Sequence, residues 1–129
     1  MAINKGDCLP ERSYEITQDR IVSYAEATGD FNPIHVDPEF AAKTAFKGTI
    51  AHGLLAVGFL SQMMMHWKPH DWTRSGKLTV DFLKPLRPGD EVVVNGEVKA
   101  IKGDRVFCDV TCQKKDGTKL VQGTAEITL

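Results

Sequence analysis

One apolar segment, AHGLLAVGFLSQMMMHW at residues 51–67, limits the possible folds more than any other part of the chain. Between Leu54 and Met65 its apolar side chains fall on nearly every side of an α-helix, which is typical of a helix buried all round. A helix over 52–67 would be roughly 24 Å long and would end before Pro69. The apolar run is far too short to cross a bilayer, so we expect protein to surround it.

The second half of the chain can supply those surroundings, because apolar residues recur along it with the period of two that is typical of β-strands. The alternating sets are Leu78, Val80 and Phe82; Val92, Val94 and Val98; Val106, Cys108, Val110 and Cys112; and Val121, Ala125, Ile127 and Leu129. The sequences RPGD, KGD and KDGT separate these sets and predict an antiparallel meander with short loops. A long apolar helix that covers one face of a curved antiparallel sheet is an α+β fold.

The first half of the chain consists of short elements joined by turns. RSYEIT at 12–17 alternates and predicts a short strand. Thr17 provides an N-cap for a helix that continues to about Thr28, and Gly29 stops it. The dipeptide DP at 37–38 predicts the start of a second, short helix, with proline at its first position.

Length, charge and cysteine content define the class of protein. At 129 residues, the chain fits one domain spanning 1–129. A net charge of −1 gives no electrostatic reason to expect nucleic acid or an anionic membrane as a partner. The N-terminal sequence lacks the apolar core of a signal peptide, and the three cysteines argue against a disulfide framework. We therefore expect reduced thiols and a cytoplasmic protein.

The segment TGDFNPIHVD at 28–37 raises the question of catalysis, because Asp30 and His35 lie five residues apart. On a helix that offset separates two side chains by about 140°, and on a strand it sends them to opposite faces. A turn at Asn32-Pro33 could bring them together, since proline fixes its own φ and disfavours helical geometry before it. A carboxylate beside a histidine is suited to proton transfer near neutral pH. The alternative is a structural turn in which Asp30 and Asn32 make local hydrogen bonds.

A second candidate feature lies where the apolar helix begins. The backbone N–H groups near His52 and Gly53 would lack partners within the helix, and the positive end of the helix dipole lies behind them. Because residue 53 is glycine, a carbonyl oxygen could approach closely, as in an oxyanion hole. Packing room at Gly53 and a capping or hydrogen-bonded buried His52 are the alternative explanations. Ser61 could add a hydrogen bond near the same site.

The sequence offers no pattern for a metal or a nucleotide cofactor. His66 and His70 have a spacing similar to that of metal ligands, but the proline between them breaks the helix that would align them. No cysteine or carboxylate partner is evident beside them. A GxSxG elbow, a P-loop and a dinucleotide fingerprint are all absent from the sequence.

Two stretches, YAEATGDFNPIHVDPEFAAKTAF at 24–46 and GTIAHGLLAVGFLSQMM at 48–64, together resemble the MaoC-like hydratases. The resemblance is closest to the (R)-specific enoyl-CoA hydratases of the hot-dog fold, and it continues through LTVDFLKPLRPGDEV at 78–92. It implies a curved antiparallel sheet around the long helix and a homodimer whose sheets pair edge to edge. It also implies an active site in a tunnel near the dimer interface.

The resemblance further implies a reaction and the residues that perform it. Asp30 and His35 match the catalytic dyad, and the N–H of Gly53 matches the donor to the thioester carbonyl. Asn32 matches the residue that helps hold this dyad. The predicted substrate-binding residues are Asn32, His52 and Ser61. The implied reaction is the reversible hydration of a trans-2-enoyl-CoA to an (R)-3-hydroxyacyl-CoA. Coenzyme A enters as part of the substrate, and neither a metal nor another cofactor is expected.

Three other functions remain open. A dehydratase acting on acyl-carrier-protein thioesters in fatty-acid synthesis would use the same dyad. Thioester hydrolysis is disfavoured because hot-dog enzymes of that kind generally place a carboxylate on or near the central helix, and none occurs between residues 48 and 67. A non-catalytic hot-dog subunit would keep the fold for binding or dimerisation, and such subunits typically lose part of the dyad.

Overall fold

One long helix and a five-stranded antiparallel sheet form the framework of the protein, which the computed structural model describes for residues 2–129. The elements in chain order are β1 (Arg12–Glu15), α1 (Gln18–Thr28), α2 (Pro33–Val36), α3 (Pro38–Ala42), α4 (Gly53–Trp67), α5 (Pro69–Ser75), β2 (Lys77–Phe82), β3 (Glu91–Lys102), β4 (Arg105–Lys114) and β5 (Lys119–Thr128). The predicted α+β architecture is confirmed, since the long helix packs against the sheet.

The strand order is β1-β3-β4-β5-β2, with every neighbouring pair antiparallel. Strands β3, β4 and β5 form the predicted meander. The prediction is wrong for β2, which pairs with β5 at the far edge of the sheet and not with β3. Alternation along a strand indicates which residues share a face, but it does not identify the neighbouring strand. The eight residues 83–90 cross the roughly 14 Å between β2 and β3 without difficulty.

The core forms between α4 and the strands β3 and β4. The buried residues of α4 are Leu55, Ala56, Phe59, Leu60, Met63 and Met64. On the other side of the helix, Leu54 is 64% exposed and Met65 is 40% exposed. The expectation of a helix buried all round is therefore wrong for the single chain, because the sheet covers only one side of α4. No helix within residues 2–129 is long and apolar enough to cross a membrane.

The ends of the helices follow the local rules that the sequence indicates. Oγ1 of Thr17 accepts a hydrogen bond from the N–H of Arg20, and Gly29 ends α1 in the left-handed conformation with φ of 78°. Helix α4 ends at Trp67 as predicted. A further helix, α5, begins immediately at Pro69 and was not predicted. Its proline sits in the first turn, where a missing N–H costs nothing.

Strand β4 places two cysteines in the core. Cys108 and Cys112 are buried, whereas Cys8 is exposed, and all three are free thiols. Burial raises the pKa of both Cys108 and Cys112 to about 12, and the nearby charge of Asp109 adds to the effect at Cys108. The two buried thiols therefore stay protonated under ordinary conditions.

We expect a thiol-specific reagent at mildly alkaline pH to modify one cysteine per native chain and all three cysteines in denaturant. The reacting species is the thiolate, which the two buried side chains scarcely form. Colorimetric thiol titration measures the count. A Cys8→Ser variant is the matched control, and rapid modification of this variant in its native state would contradict the assignment.

Candidate active site

Three local segments meet beside the first turn of α4 and enclose a cavity of about 290 Å³. The segments are the end of α1, the turn that leads into α2, and the start of α4. The residues that line the cavity are Tyr24, Thr28, Asp30, His35, His52, Gly53 and Leu54. Four of the six predicted site residues are in this set, so the structure brings the core of the predicted site together.

The turn after α1 holds the carboxylate of Asp30. Oδ1 of Asp30 accepts a hydrogen bond of 3.2 Å from the backbone N–H of Asn32. The N–H of Asp30 lies 3.4 Å from Oγ1 of Thr28, which in turn donates to the carbonyl of Tyr24. The Asp30 side chain itself is exposed to solvent. Its position therefore depends on these short-range bonds and on the contacts that hold the turn.

Asn32 organises the turn from outside the cavity lining. Its Oδ1 accepts a hydrogen bond of 3.2 Å from the N–H of Ile34 and so caps α2, with Pro33 at the first helical position. The short helix brings the following His35 back towards Asp30. Asn32 thus holds both members of the pair through backbone and capping bonds, and the predicted contact between its side chain and the substrate is not supported by this placement.

The ring of His35 has a defined tautomer. Its Nδ1 lies 2.8 Å from the carbonyl oxygen of Ile50. Because a carbonyl only accepts hydrogen bonds, Nδ1 must carry the hydrogen, and Nε2 of the neutral ring is left as a base. The backbone of His35 is held as well, since its carbonyl accepts from Nε2 of Gln18 at 2.8 Å. Gln18 is itself fixed by the hydroxyl of Thr49 at 2.7 Å.

His52 is the N-cap residue of α4 and is 3% exposed. Its Nε2 lies 2.8 Å from the carbonyl oxygen of Asp30, and its ring stacks on that of His35 at 3.8 Å with 27° between the planes. The ring of Tyr24 packs against it at 4.8 Å. Nδ1 of His52 is buried and has no hydrogen-bond partner within residues 2–129. His52 therefore makes no capping bond in that described part of the chain, and of the two structural alternatives it matches the buried, hydrogen-bonded histidine.

Gly53 is the first residue of α4, where the N–H has no carbonyl one turn earlier in the helix. A Cβ at this position would lie 2.8 Å from Cε1 of Phe82, so no larger residue fits unless that ring moves. Gly53 also lines a second, apolar groove of about 300 Å³. The lining of this groove is Phe46, Ile50, Ala51, Gly53, Phe82, Leu83, Lys84, Pro85 and Leu86. Gly53 thus lies between the polar cavity and an apolar groove.

The polar cavity contains three groups that could in principle bind a metal ion. The donor atoms of Asp30, His35 and His52 lie within 4.8 Å of one another. One nitrogen of each histidine is already bonded to a backbone carbonyl. The remaining nitrogen of His52, Nδ1, is buried, and the two rings are stacked at 3.8 Å. The cluster is better suited to proton transfer than to metal binding.

Ser61, which the sequence predicts to bind substrate, does not line this cavity in the single chain. Its Oγ instead accepts a hydrogen bond of 2.9 Å from Nε1 of Trp72 in α5. Sequence reasoning also missed Tyr24 and Thr28, which line the cavity from the last turns of α1. Their spacing of four residues, directly before the Gly29-Asp30 turn, places them on one face of α1 and is the signal that could have identified them.

Comparisons with known proteins agree with the fold. Residues 3–124 match the model of the MaoC like domain family. The chain belongs to this family. It is 36% identical over 107 residues to a 3-hydroxybutyryl-CoA dehydratase of Methylorubrum extorquens, covering 83% of this chain and 68% of that protein. It is also 35% identical over 96 residues to a mitochondrial 3-hydroxyacyl-[acyl-carrier-protein] dehydratase of Arabidopsis thaliana, covering 74% of this chain and 55% of that protein.

A third relative is known in both sequence and structure. The (R)-specific enoyl-CoA hydratase of Aeromonas caviae is 32% identical over 111 residues, covering 84% of this chain and 83% of that protein. The solved structure of the (R)-hydratase from A. caviae superimposes with a TM-score of 0.86 at 27% identity, covering 99% of this chain and 98% of that one. The predicted hot-dog fold is thereby confirmed for this MaoC-like protein.

We expect Asn32→Ala to lower the free energy of unfolding by about 1 kcal/mol, because it removes the acceptor that caps α2. Asn32→Ser is the matched control, since a serine oxygen can accept the same N–H, and we expect it to stay within about 0.5 kcal/mol of the parent. Urea denaturation of the three proteins at one concentration measures the difference. Equal losses in both variants would contradict the capping role.

Proposed function

We propose that this MaoC-like protein catalyses the reversible hydration of trans-2-enoyl-CoA to (R)-3-hydroxyacyl-CoA. The observation that carries the proposal is the pairing, in one cavity, of the Asp30 carboxylate with an Nε2 of His35 that is free to act as a base. The relatives from M. extorquens and A. caviae, whose names describe the two directions of such a reaction, support it. The assignment of the (R) configuration rests on the A. caviae relative.

In the proposed mechanism one water molecule lies between Asp30 and His35. One member of the pair accepts a proton from the water as its oxygen forms a bond to C3 of the enoyl thioester. The π electrons of the double bond move towards the thioester carbonyl, and the pair then delivers a proton to C2. A hydrogen and a hydroxyl group are thus added across the double bond, no electrons are exchanged with an external acceptor, and the dyad returns to its starting state.

The start of α4 is the proposed binding site for the thioester oxygen. The N–H of Gly53 lacks a partner within the helix, and the positive end of the helix dipole favours the negative charge that develops on an enolate oxygen. Glycine leaves the approach to this N–H free of a side chain. The apolar groove on the other side of Gly53, which includes Phe46 and Leu86, supports a substrate that carries a long apolar chain.

We further propose that the protein functions as a homodimer in the cytoplasm, in the metabolism of fatty acyl thioesters. The support for the dimer is a group of exposed apolar side chains around the site, among them Leu54 at 64% and Phe82 at 56%. Phe82 ends β2, an edge strand whose second side has no neighbour in the described chain. A second copy paired at this edge would cover these residues and complete the walls of the groove.

The second candidate function is dehydration of a 3-hydroxyacyl group on acyl carrier protein. The relative from A. thaliana favours it, and the same dyad would serve both reactions. The two carriers share the thioester and the acyl chain, so the chemistry at Asp30 and His35 does not separate them. Kinetics with the same acyl chain on the two carriers would separate them.

We expect Asp30→Asn and His35→Asn each to lower kcat for crotonyl-CoA hydration by roughly 100-fold or more, since each removes a proton-transfer group. Both changes preserve the local bonds: Asn at 30 keeps an acceptor for the N–H of Asn32, and Asn at 35 keeps a donor for the carbonyl of Ile50. The assay follows the absorbance of the enoyl thioester, coupled to an (R)-specific dehydrogenase that reports the configuration of the product.

His70→Asn is the control for this pair, because His70 is an exposed residue of α5 outside the cavity. It should retain the parent activity, and light scattering should give one mass for all four proteins. Full activity in either dyad variant would disprove the mechanism. A parent protein that is inactive on every enoyl-CoA but active on the carrier-protein thioester would disprove the first function and support the dehydratase acting on acyl carrier protein.

We expect Gly53→Ala to lower kcat/KM at least about tenfold, because the added methyl group obstructs the N–H proposed to bind the thioester oxygen. The exposed ring of Phe82 can move aside, so the variant should still fold. Gly58→Ala in the same helix is the matched control. Its added Cβ would meet nothing within 4 Å, and we expect unchanged kinetics with about 0.5–1 kcal/mol of added stability. Similar kinetic losses in both variants would contradict the role of Gly53.

A further inference from the structure

We propose that His52 is a positioning residue for the dyad, holding Asp30 through its backbone and His35 through its ring. This inference rests on the proposed hydration and concerns a residue that would not touch the reacting atoms. The two contacts leave from different parts of the same imidazole: Nε2 bonds to the carbonyl of Asp30, and the ring face stacks on His35. One buried side chain thus contacts both members of the pair.

The bond to Asp30 connects an exposed turn to the buried N-cap residue of α4. Asp30 is exposed. Within the described residues its N–H donates to Oγ1 of Thr28, the last residue of α1, and its Oδ1 accepts from the N–H of Asn32 in the turn. The bond of 2.8 Å from Nε2 of His52 is the one that ties the Asp30 peptide to α4. Because the carboxylate projects from that peptide, fixing the carbonyl limits where the carboxylate can lie relative to Gly53.

The stack on His35 restricts the second member of the pair. The edge of the His35 ring is held at Nδ1 by the carbonyl of Ile50, and one face is covered by His52 at 3.8 Å. A ring held at one edge and on one face has little freedom to rotate, so Nε2 stays in one place.

The unpaired nitrogen of His52 distinguishes this role from simple packing. Nδ1 is buried without a partner in the part of the chain that is described, and a buried polar atom in that state lowers stability. A phenylalanine would fill the same space between Tyr24 and His35 with no unpaired nitrogen. Stability of the fold therefore does not explain a histidine here, whereas the donor to Asp30 does.

The same geometry argues against a direct catalytic role. The hydrogen on Nε2 is engaged by the carbonyl of Asp30, because a carbonyl can only accept. Nδ1 is enclosed and has no surface that a substrate could reach. Neither nitrogen is thus placed to exchange a proton with an enoyl thioester, and the effect of His52 must pass through Asp30 and His35.

Two substitutions separate the two contacts. His52→Phe keeps a ring that can stack on His35 and removes the donor to Asp30, while His52→Gln keeps a donor close to the position of Nε2 and removes the ring. We expect His52→Phe to lower kcat for crotonyl-CoA roughly 10- to 100-fold with KM changed less than about threefold, because small misplacements of reacting groups have effects of this size. His52→Gln should recover part of the lost kcat. Thermal unfolding should stay close to that of the parent in both.

Amide hydrogen exchange measured by NMR gives a second readout that does not depend on activity. In His52→Phe we expect the amides of Asn32 and Ile34, which donate within the turn, to exchange at least about tenfold faster, while that of Lys68 at the far end of α4 is unchanged. A parent protein that hydrates no thioester, combined with this selective loosening, would disprove the proposed function and leave the positioning role supported. Parent-like kcat and exchange in His52→Phe would overturn the positioning role, as would uniform loosening of the whole chain.

Discussion

Burial of one side of α4 against the sheet determines where the polar cavity can form. The apolar face of the helix fixes its axis and rotation, and so fixes its first turn at His52 and Gly53. The segment before the helix is anchored separately, since the N–H of Ala51 donates to the carbonyl of Leu86 at 2.8 Å. The start of α4 is therefore a rigid reference point to which an exposed turn can be attached. The cavity exists because that attachment is made at several points.

Ile50 joins the turn to this reference point through both of its backbone groups. Its N–H donates to the carbonyl of Ile34 at 3.2 Å, and its carbonyl accepts from Nδ1 of His35 at 2.8 Å. The first bond positions the chain of α2, and the second selects the tautomer of the ring. A turn of this kind, exposed and only a few residues long, would otherwise belong to the mobile part of a protein. The proposed chemistry requires this turn to hold a fixed position, and the two backbone hydrogen bonds of Ile50 restrain it.

The sequence indicated the parts of the site that depend on local chain geometry. The five-residue offset and the Asn-Pro step indicated that a turn could bring Asp30 and His35 together, because both facts act within one turn. The catalytic pairing itself was implied by the resemblance to the MaoC-like hydratases. The hydrogen bond of Ser61 could not be predicted, because its partner, Trp72, lies on α5, a helix that the sequence did not indicate. The contacts of His52 could not be predicted either, since they depend on how α2 and α4 pack. The pairing of β2 with β5 was missed for the same reason: alternation identifies a face, whereas the order of strands is a property of the whole sheet.

The two ends of α4 differ in how well their residues stabilise the helix. At the C-terminal end, the N–H of Lys68 donates to the carbonyl of Met64, and Pro69 starts the next helix where its missing N–H is harmless. At the N-terminal end, a buried nitrogen of His52 has no partner in the described chain, and glycine occupies the first helical position against an exposed aromatic ring. Natural sequences usually pair their buried polar atoms and follow helix propensities throughout the fold. Where several exceptions lie close together, they mark functional positions. The exceptions here lie within one turn of the helix, on the side where Asp30 and His35 meet. This asymmetry is what a helix would show if one end served the fold and the other served the proposed reaction.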